Sequence, residues 1–396
     1  MVYMGNEKLI KDISSGARYL LMLMSRPLGL VENKIKDKNI RDFVNISSLS
    51  ERSVIKYLSE LKESGILSSE RHVIFKKGRG ENSYTLHEKF NLSMKHTEIV
   101  DMVLFLNDLK PMQKFIFITL LSSSDDFGVV DGLGLVGLTK LTGMGPQTIK
   151  DHLMKMIELG FVFGYSPGGN IEIFPSKVKG MFYLNLVKYE SSQLKIVLLE
   201  KSLPYNDIIK YHSQNNEVNS KVGRYIKNLS PKSKAIFFNS LTCKVDKFSG
   251  GMLTKIVKLK TEINLVQSFI DSLQQNVFKI DGGRVKTVNY AQFRKHLSNF
   301  NFFNYIKEDI RKEFLHEWLD NPSLEKEPAH KMFPIAKELS EEVIYLVHLY
   351  AFWMYFDVLL PDGMKFAVIR KCKNGSPNEE LKSPPCILVG KPISQI

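Results

Sequence analysis

Over residues 50–67, "SERSVIKYLSELKESGIL", apolar side chains return at Val54, Leu58 and Leu61. That i, i+4, i+7 spacing is one face of a helix. The pattern comes back 95 positions later, over residues 145–162, "GPQTIKDHLMKMIELGFV". There Ile149 replaces Val54, Leu153 replaces Leu58, Glu158 matches Glu63 and Gly160 matches Gly65. Ser50 is the predicted cap of the first helix, because its hydroxyl can accept from the free amides of the first turn. Pro146 suits the first turn of the second, where no amide is needed. Gly65 and Gly160 supply the left-handed residue that closes each helix.

The surroundings repeat as well. Ahead of the first copy, "SGARYLLMLMS" (Ser15–Ser25) is apolar with helical character, and "KNIRDFVNIS" (Lys38–Ser47) reads as a short second helix. After it, two short strands are expected at Arg71–Lys76 and Ser83–His87, joined by a Gly-rich basic tip. The second copy has "KPMQKFIFITLLS" (Lys110–Ser122), a polar loop "SSDDFGVVDG", "LVGLTKLTG" (Leu135–Gly143), and then "FVFGYSPGGNIEIF" as a hairpin. "HTEIVDMVLFLNDL" (96–109) reads as a linking helix between the copies.

Three helices followed by a β-hairpin resembles the winged helix-turn-helix superfamily, over roughly residues 12–90 and again over about 108–186. A fainter third copy is read over 205–290, opening with the polar linker Tyr205–Lys221. "SPKSKAIFFNSL" echoes "KPMQKFIFITLL", two more helices follow, and a hairpin turns at Asp281-Gly282-Gly283. Asn276 stands there where a helix-ending glycine stood before. Residues 291–396 read as mostly helical, with a tail that is either a long hairpin or disordered.

The expected fold class is therefore mainly α with small β-hairpin wings (α+β). Its parts are a winged helix at 1–95, a linking helix at 96–109, a second winged helix at 110–190, a third copy at 205–290 and a helical region at 291–396.

Charge separates the two clear copies. The 396-residue chain carries a net +13, which favours polyanionic partners. Residues 1–95 hold 17 basic and 11 acidic side chains, a net of +6. Residues 96–185 hold seven lysines, no arginine and nine acidic side chains, a net of −2. With its apolar positions turned inward, the first copy's third helix presents Arg52, Lys56 and Ser59, with Ser53 and Tyr57 on a flank. An α-helix fits the major groove, where arginine bonds guanine bidentately and lysine or serine holds phosphates. Lys76, Lys77 and Arg79 in "KKGRG" can reach a phosphate backbone. In the second copy Gln147, Thr148 and Lys150 face outward, but Asp151 aligns with Lys56, and "SPGGN" has no basic residue. Gln147 and Lys150 can still read bases, yet the local attraction that dominates DNA affinity is missing. The rival reading of this copy is packing, dimerisation or orientation.

Little points to catalysis. The nine histidines form no H-E-x-x-H motif, and the chain has no G-x-x-x-x-G-K-[ST] phosphate loop. Cys243, Cys372 and Cys386 form no C-x-x-C pair, which argues against a zinc site or a disulfide framework. No metal or cofactor is expected. The most apolar run, "VIYLVHLYAFWMYF" (Val343–Phe356), has 14 residues against the roughly 20 that a spanning helix needs. It is read as a buried or dimer-forming helix, and no membrane association is expected. No secretory signal is visible.

These readings converge on a non-enzymatic, sequence-specific double-stranded DNA-binding protein, cytoplasmic and nucleoid-associated, with a homodimer formed through the C-terminal helices. A transcriptional regulator is the leading role. A replication initiator, or a winged-helix assembly protein acting through protein contacts, stands as the alternative.

Overall fold

In a computed structural model, the described residues are 12–25, 34–72, 81–87, 96–166, 180–198, 221–262, 264–298, 307–312, 327–358, 364–370 and 385–392, with short stretches at 3–4, 90–91 and 168–169 and single positions at 173, 315, 360 and 361. They are mainly helical with small antiparallel sheets, an α+β chain. The chain divides into two units, Met1–Phe163 with Phe182–Ser192, and Gly164–Met181 with Gln193–Ile396.

The first unit holds the same series of elements twice. Helix α1 (Ser15–Met24) is followed by strand β1 (Lys34–Lys38), helices α2 (Ile40–Ser47) and α3 (Glu51–Glu63), and strands β2 (Leu67–His72) and β3 (Glu81–Leu86). After the linking helix α4 (Thr97–Phe105) come α5 (Pro111–Ser122), β4 (Val129–Val130), α6 (Leu135–Thr142), α7 (Pro146–Glu158), β5 (Val162–Ser166) and β6 (Met181–Leu184). Both three-stranded sheets place the last strand in the middle, in the orders β1-β3-β2 and β4-β6-β5.

The repetition extends to single hydrogen bonds. Ile66 N donates to Leu61 O at 3.1 Å, and 95 positions on Phe161 N donates to Met156 O at 2.8 Å. The αL residue that ends α2 is Ser48 (φ 57°), and Gly143 (φ 72°) ends α6. Gly65 (φ 71°) and Gly160 (φ 73°) take the left-handed conformation expected of them.

One expectation for this unit needs correction. Lys38, read as the start of the second helix, belongs instead with residues 34–37 to the edge strand β1, whose Ile35 lies opposite Tyr84 of β3. The expected return strand "NIEIF" lies, apart from Ile173, outside the described residues, and β5 shares its sheet with β6 at Met181–Leu184. "MFYL" buries all four of its side chains there, while Ile173 N donates to the Tyr225 hydroxyl at 3.2 Å.

In the second unit, α8 (Lys221–Asn228), α9 (Pro231–Glu262) and α10 (Asn264–Asn276) lead to a hairpin of β8 (Phe278–Asp281) and β9 (Arg284–Val288), followed by α11 (Tyr290–Ser298) and α12 (Glu327–Asp357). Gly282 (φ 58°) and Gly283 (φ 74°) make the hairpin turn as read. The linker 205–220 lies outside the described residues. "SPKSKAIFFNSL" and the first of the two helices read after it are one helix, α9. A Cβ at Gly250 would come within 3.0 Å of the backbone at Phe366 and Ala367, so this glycine admits a strand onto the helix rather than breaking it. Asn276 does not take the left-handed conformation; its side-chain amide donates to Ser272 O at 2.9 Å.

The tail forms a hairpin of β10 (Met364–Arg370) and β11 (Pro385–Pro392). It continues onto β7 (Lys195–Leu198), in the order β10-β11-β7. The run Val343–Met354 of α12 is at most 4% exposed and belongs to this unit's own core, with Phe293 against both Tyr345 and Phe352. Its apolar surface is covered by the same chain, which is the buried one of the two readings of this run. Among the described residues, no helix is long and apolar enough to cross a membrane.

Candidate nucleic-acid interface

Helix α3 is held at both ends and along its inner side. The Ser50 hydroxyl accepts from Ser53 N at 3.2 Å and lies 2.8 Å from the Ser53 hydroxyl. Val54, Leu58 and Leu61 are buried as the periodicity required. On the flank, Tyr57 covers Gly16 of α1 so closely that a Cβ there would overlap its ring. Glu60 accepts from both the amide and the hydroxyl of Ser14, the cap of α1. Two helices are thereby locked at a fixed angle, and the opposite side of α3 is left to solvent.

That side carries Arg52, Lys56 and Ser59, all exposed. Ser53 is half-buried and committed to the cap. Ile55, 45% exposed between Arg52 and Ser59, was not singled out from the sequence. Its signal was available: a β-branched apolar residue one position off the buried stripe. A side chain of this kind can contact a thymine methyl. Arg52, Ile55, Lys56 and Ser59 form the outward stripe of the first two turns, exposed Glu51 flanks it one turn before Ile55, and Glu63 joins it in the last turn. Strands β2 and β3 pair from Leu67 with Leu86 to His72 with Glu81. Lys76, Lys77 and Arg79, in the connecting residues 73–80, lie outside the described residues.

The second copy presents Gln147, Thr148 and Lys150, all exposed. Gln147 Nε2 donates to Asp151 Oδ1 at 2.8 Å, so amide and carboxylate occupy each other. Lys155 pairs with Glu158 at 2.8 Å. At matching outward positions Arg41, Arg52 and Lys56 become Val136, Gln147 and Asp151. Val136 is 58% exposed, and Met102 and Phe105 of α4 are 46% and 74% exposed. The two sets of outward residues stand on separate helices, α3 and α7, and are not brought into one cluster.

Two cations are placed in the opposite way, inside the unit. Arg18 is 4% exposed, with Nε on Ile13 O at 3.1 Å and Nη1 on Lys140 O at 2.7 Å. Lys114 is 1% exposed, with Nζ on Leu104 O at 2.7 Å and on the Ser48 hydroxyl at 2.9 Å. Burial lowers the pKa of both, partly offset for Arg18 by Asp12.

Among the described residues, no group of three His, Cys, Asp or Glu is placed to hold a metal ion. An open groove of about 780 Å³ runs from the end of α10 along the β8–β9 hairpin. Its walls include Lys279, Thr287 and Tyr290 but no carboxylate, histidine or thiol. Neither a protein-family model nor a curated protein matches the chain.

Proposed function

We propose that the first copy is a winged helix-turn-helix domain that binds double-stranded DNA sequence-specifically through α3, and that the chain is a non-enzymatic, nucleoid-associated transcriptional regulator. One observation carries this reading: the first two turns of α3 expose Arg52, Ile55, Lys56 and Ser59 together, with Glu51 the exposed carboxylate at the edge of this stripe. The order of three helices and a hairpin supports it, as does the excess of basic residues in 1–95. In this reading Arg52 takes a base edge, Lys56 and Ser59 take phosphates, and Ile55 packs against a methyl. Lys76, Lys77 and Arg79 add backbone contacts from between β2 and β3. The tie between Glu60 and Ser14 fixes the angle at which α3 enters the groove.

Fluorescence anisotropy with a mixed-sequence duplex at several salt concentrations tests this. Affinity should fall linearly in log–log form as salt rises, and Lys56→Ala should reduce that slope by about one. An affinity indifferent to salt, or a slope unchanged by Lys56→Ala together with neutralisation of Lys76, Lys77 and Arg79, would sink the assignment.

A further inference from the structure

We infer that the two copies in the first unit form an internal dimer, and that one chain alone binds a duplex site built from two unequal half-sites in inverted orientation. The inference rests on the duplex-binding reading above.

Its basis is a set of reciprocal contacts. Arg18 stands four residues after Ser14, the cap of α1, and Lys114 stands four after Lys110, the cap of α5. Each crosses to the other copy and meets the end of its second helix. Arg18 reaches Lys140 O and lies so near Gly143, which ends α6, that a Cβ there would sit 2.9 Å from its Cζ. Lys114 reaches the hydroxyl of Ser48, which ends α2. Gly143 and Ser48 are themselves matching residues, 95 positions apart. One position further along each first helix, Tyr19 and Phe115 meet each other, with ring centroids 5.6 Å apart.

When i touches j′, i′ touches j, and like meets like in the middle, the relation is a two-fold one; a head-to-tail repeat pairs unlike surfaces instead. Both central helices are buried along nearly their whole length, as such an interface requires.

A two-fold that relates the copies also relates α3 to α7. Helix-turn-helix dimers with this symmetry read two half-sites about one turn of DNA apart, inverted to match the protein. Here the second subunit is supplied by the same chain, and its reading face has changed. Gln147 and Asp151 replace Arg52 and Lys56, and Val136 replaces Arg41. The site is accordingly asymmetric, with one half strongly specified by α3 and the other weakly specified by Gln147, Thr148 and Lys150. Asp151, standing where α3 has Lys56, limits phosphate attraction at the weak half.

The experiment takes the intact protein and a duplex recovered by selection from a random pool. Chains per duplex are counted by sedimentation, and the backbone is mapped by hydroxyl-radical footprinting. One chain per duplex is expected, with two protected patches about one helical turn apart. Arg52→Ala should weaken binding roughly 5- to 150-fold and relax one half-site. Lys150→Ala, an exposed substitution, should thin protection only in the other half. A single protected patch, or two chains on an inverted repeat, overturns the internal dimer and leaves the duplex reading standing if Arg52→Ala still weakens binding. No affinity for any duplex overturns both.

Discussion

Replacing Lys114 with methionine keeps most of the stem and removes the ammonium that joins the two copies. In the native chain Nζ donates to the Leu104 carbonyl at 2.7 Å and to the Ser48 hydroxyl at 2.9 Å, within a residue only 1% exposed. Hydrogen bonds from a charged donor are worth about 1.5–3 kcal/mol each. Against them stands a desolvation cost of several kcal/mol for the buried ion, which also lowers its pKa. The decisive quantity is what remains after the substitution. Ser48 is exposed and turns to water, whereas Leu104, 4% exposed, is left with a carbonyl that loses its charged donor. An orphaned buried acceptor costs about 1–3 kcal/mol, and with the weakened contact across the copies the expected loss is about 2–3 kcal/mol. For a unit of this size that is a fall in Tm of about 4–12 °C. Both tryptophans, Trp318 and Trp353, fall in the sequence of the second unit, so fluorescence would miss the event. Hydrogen exchange followed by mass spectrometry on peptides of α1 and α5 reads it directly, and Lys114→Met should accelerate exchange in both helices together. Unchanged or slower exchange would show that burying the ammonium costs as much as its bonds return, and the reasoning would fail.

Gly16→Ala should destabilise the first unit by about 1–3 kcal/mol, because the new Cβ overlaps the Tyr57 ring and α3 must shift. Chemical denaturation followed by circular dichroism checks the stability, and a wild-type midpoint would contradict the packing described. His348 supplies a pH dependence in the second unit. Burial, with a smaller effect of Lys307, pushes its pKa down to about 4, while Nδ1 bonds Ile344 O at 2.7 Å. The unfolded chain therefore takes up the proton first, so this stabilisation is complete above the ordinary histidine value of about 6.5 and is lost as pH falls toward 4. Between pH 7 and pH 5 the loss is about 2 kcal/mol, read from urea unfolding by tryptophan fluorescence, and His348→Gln should remove most of it. Parallel losses in the two proteins would assign the dependence to other groups.

What could be read from the sequence was local. Ser50, Val54, Leu58, Leu61 and Gly65 are a cap, a face and a terminator of one helix, and the structure uses each in that role. Strand β1 was missed because "KIKDK" has a single apolar residue, and its conformation is set by pairing with β3 some 50 residues later. For the same reason no local signal joined β7 to β11, which are nearly 190 residues apart. Gly250-Gly251 illustrates the opposite error, since helix propensity predicts a weak point and close packing on β10 overrides it. In the candidate interface, the outward positions of α3 followed from helix geometry alone. Arg18 and Lys114 did not, although a lone cation inside an otherwise apolar helix was a visible sign of a specific buried partner. The identity of that partner depended on how the copies pack, and no periodicity within one helix contains that information.

The central claim is that α3 of the first copy reads a DNA sequence. Selection of bound duplexes from a random pool, run in parallel with the intact protein and with Arg52→Ala, tests it most directly. The account predicts one enriched motif with the wild-type chain and the same motif with Arg52→Ala, less strongly enriched and with one position no longer specified. Failure to enrich any motif, or recovery of an identical motif at equal strength from both proteins, would contradict it.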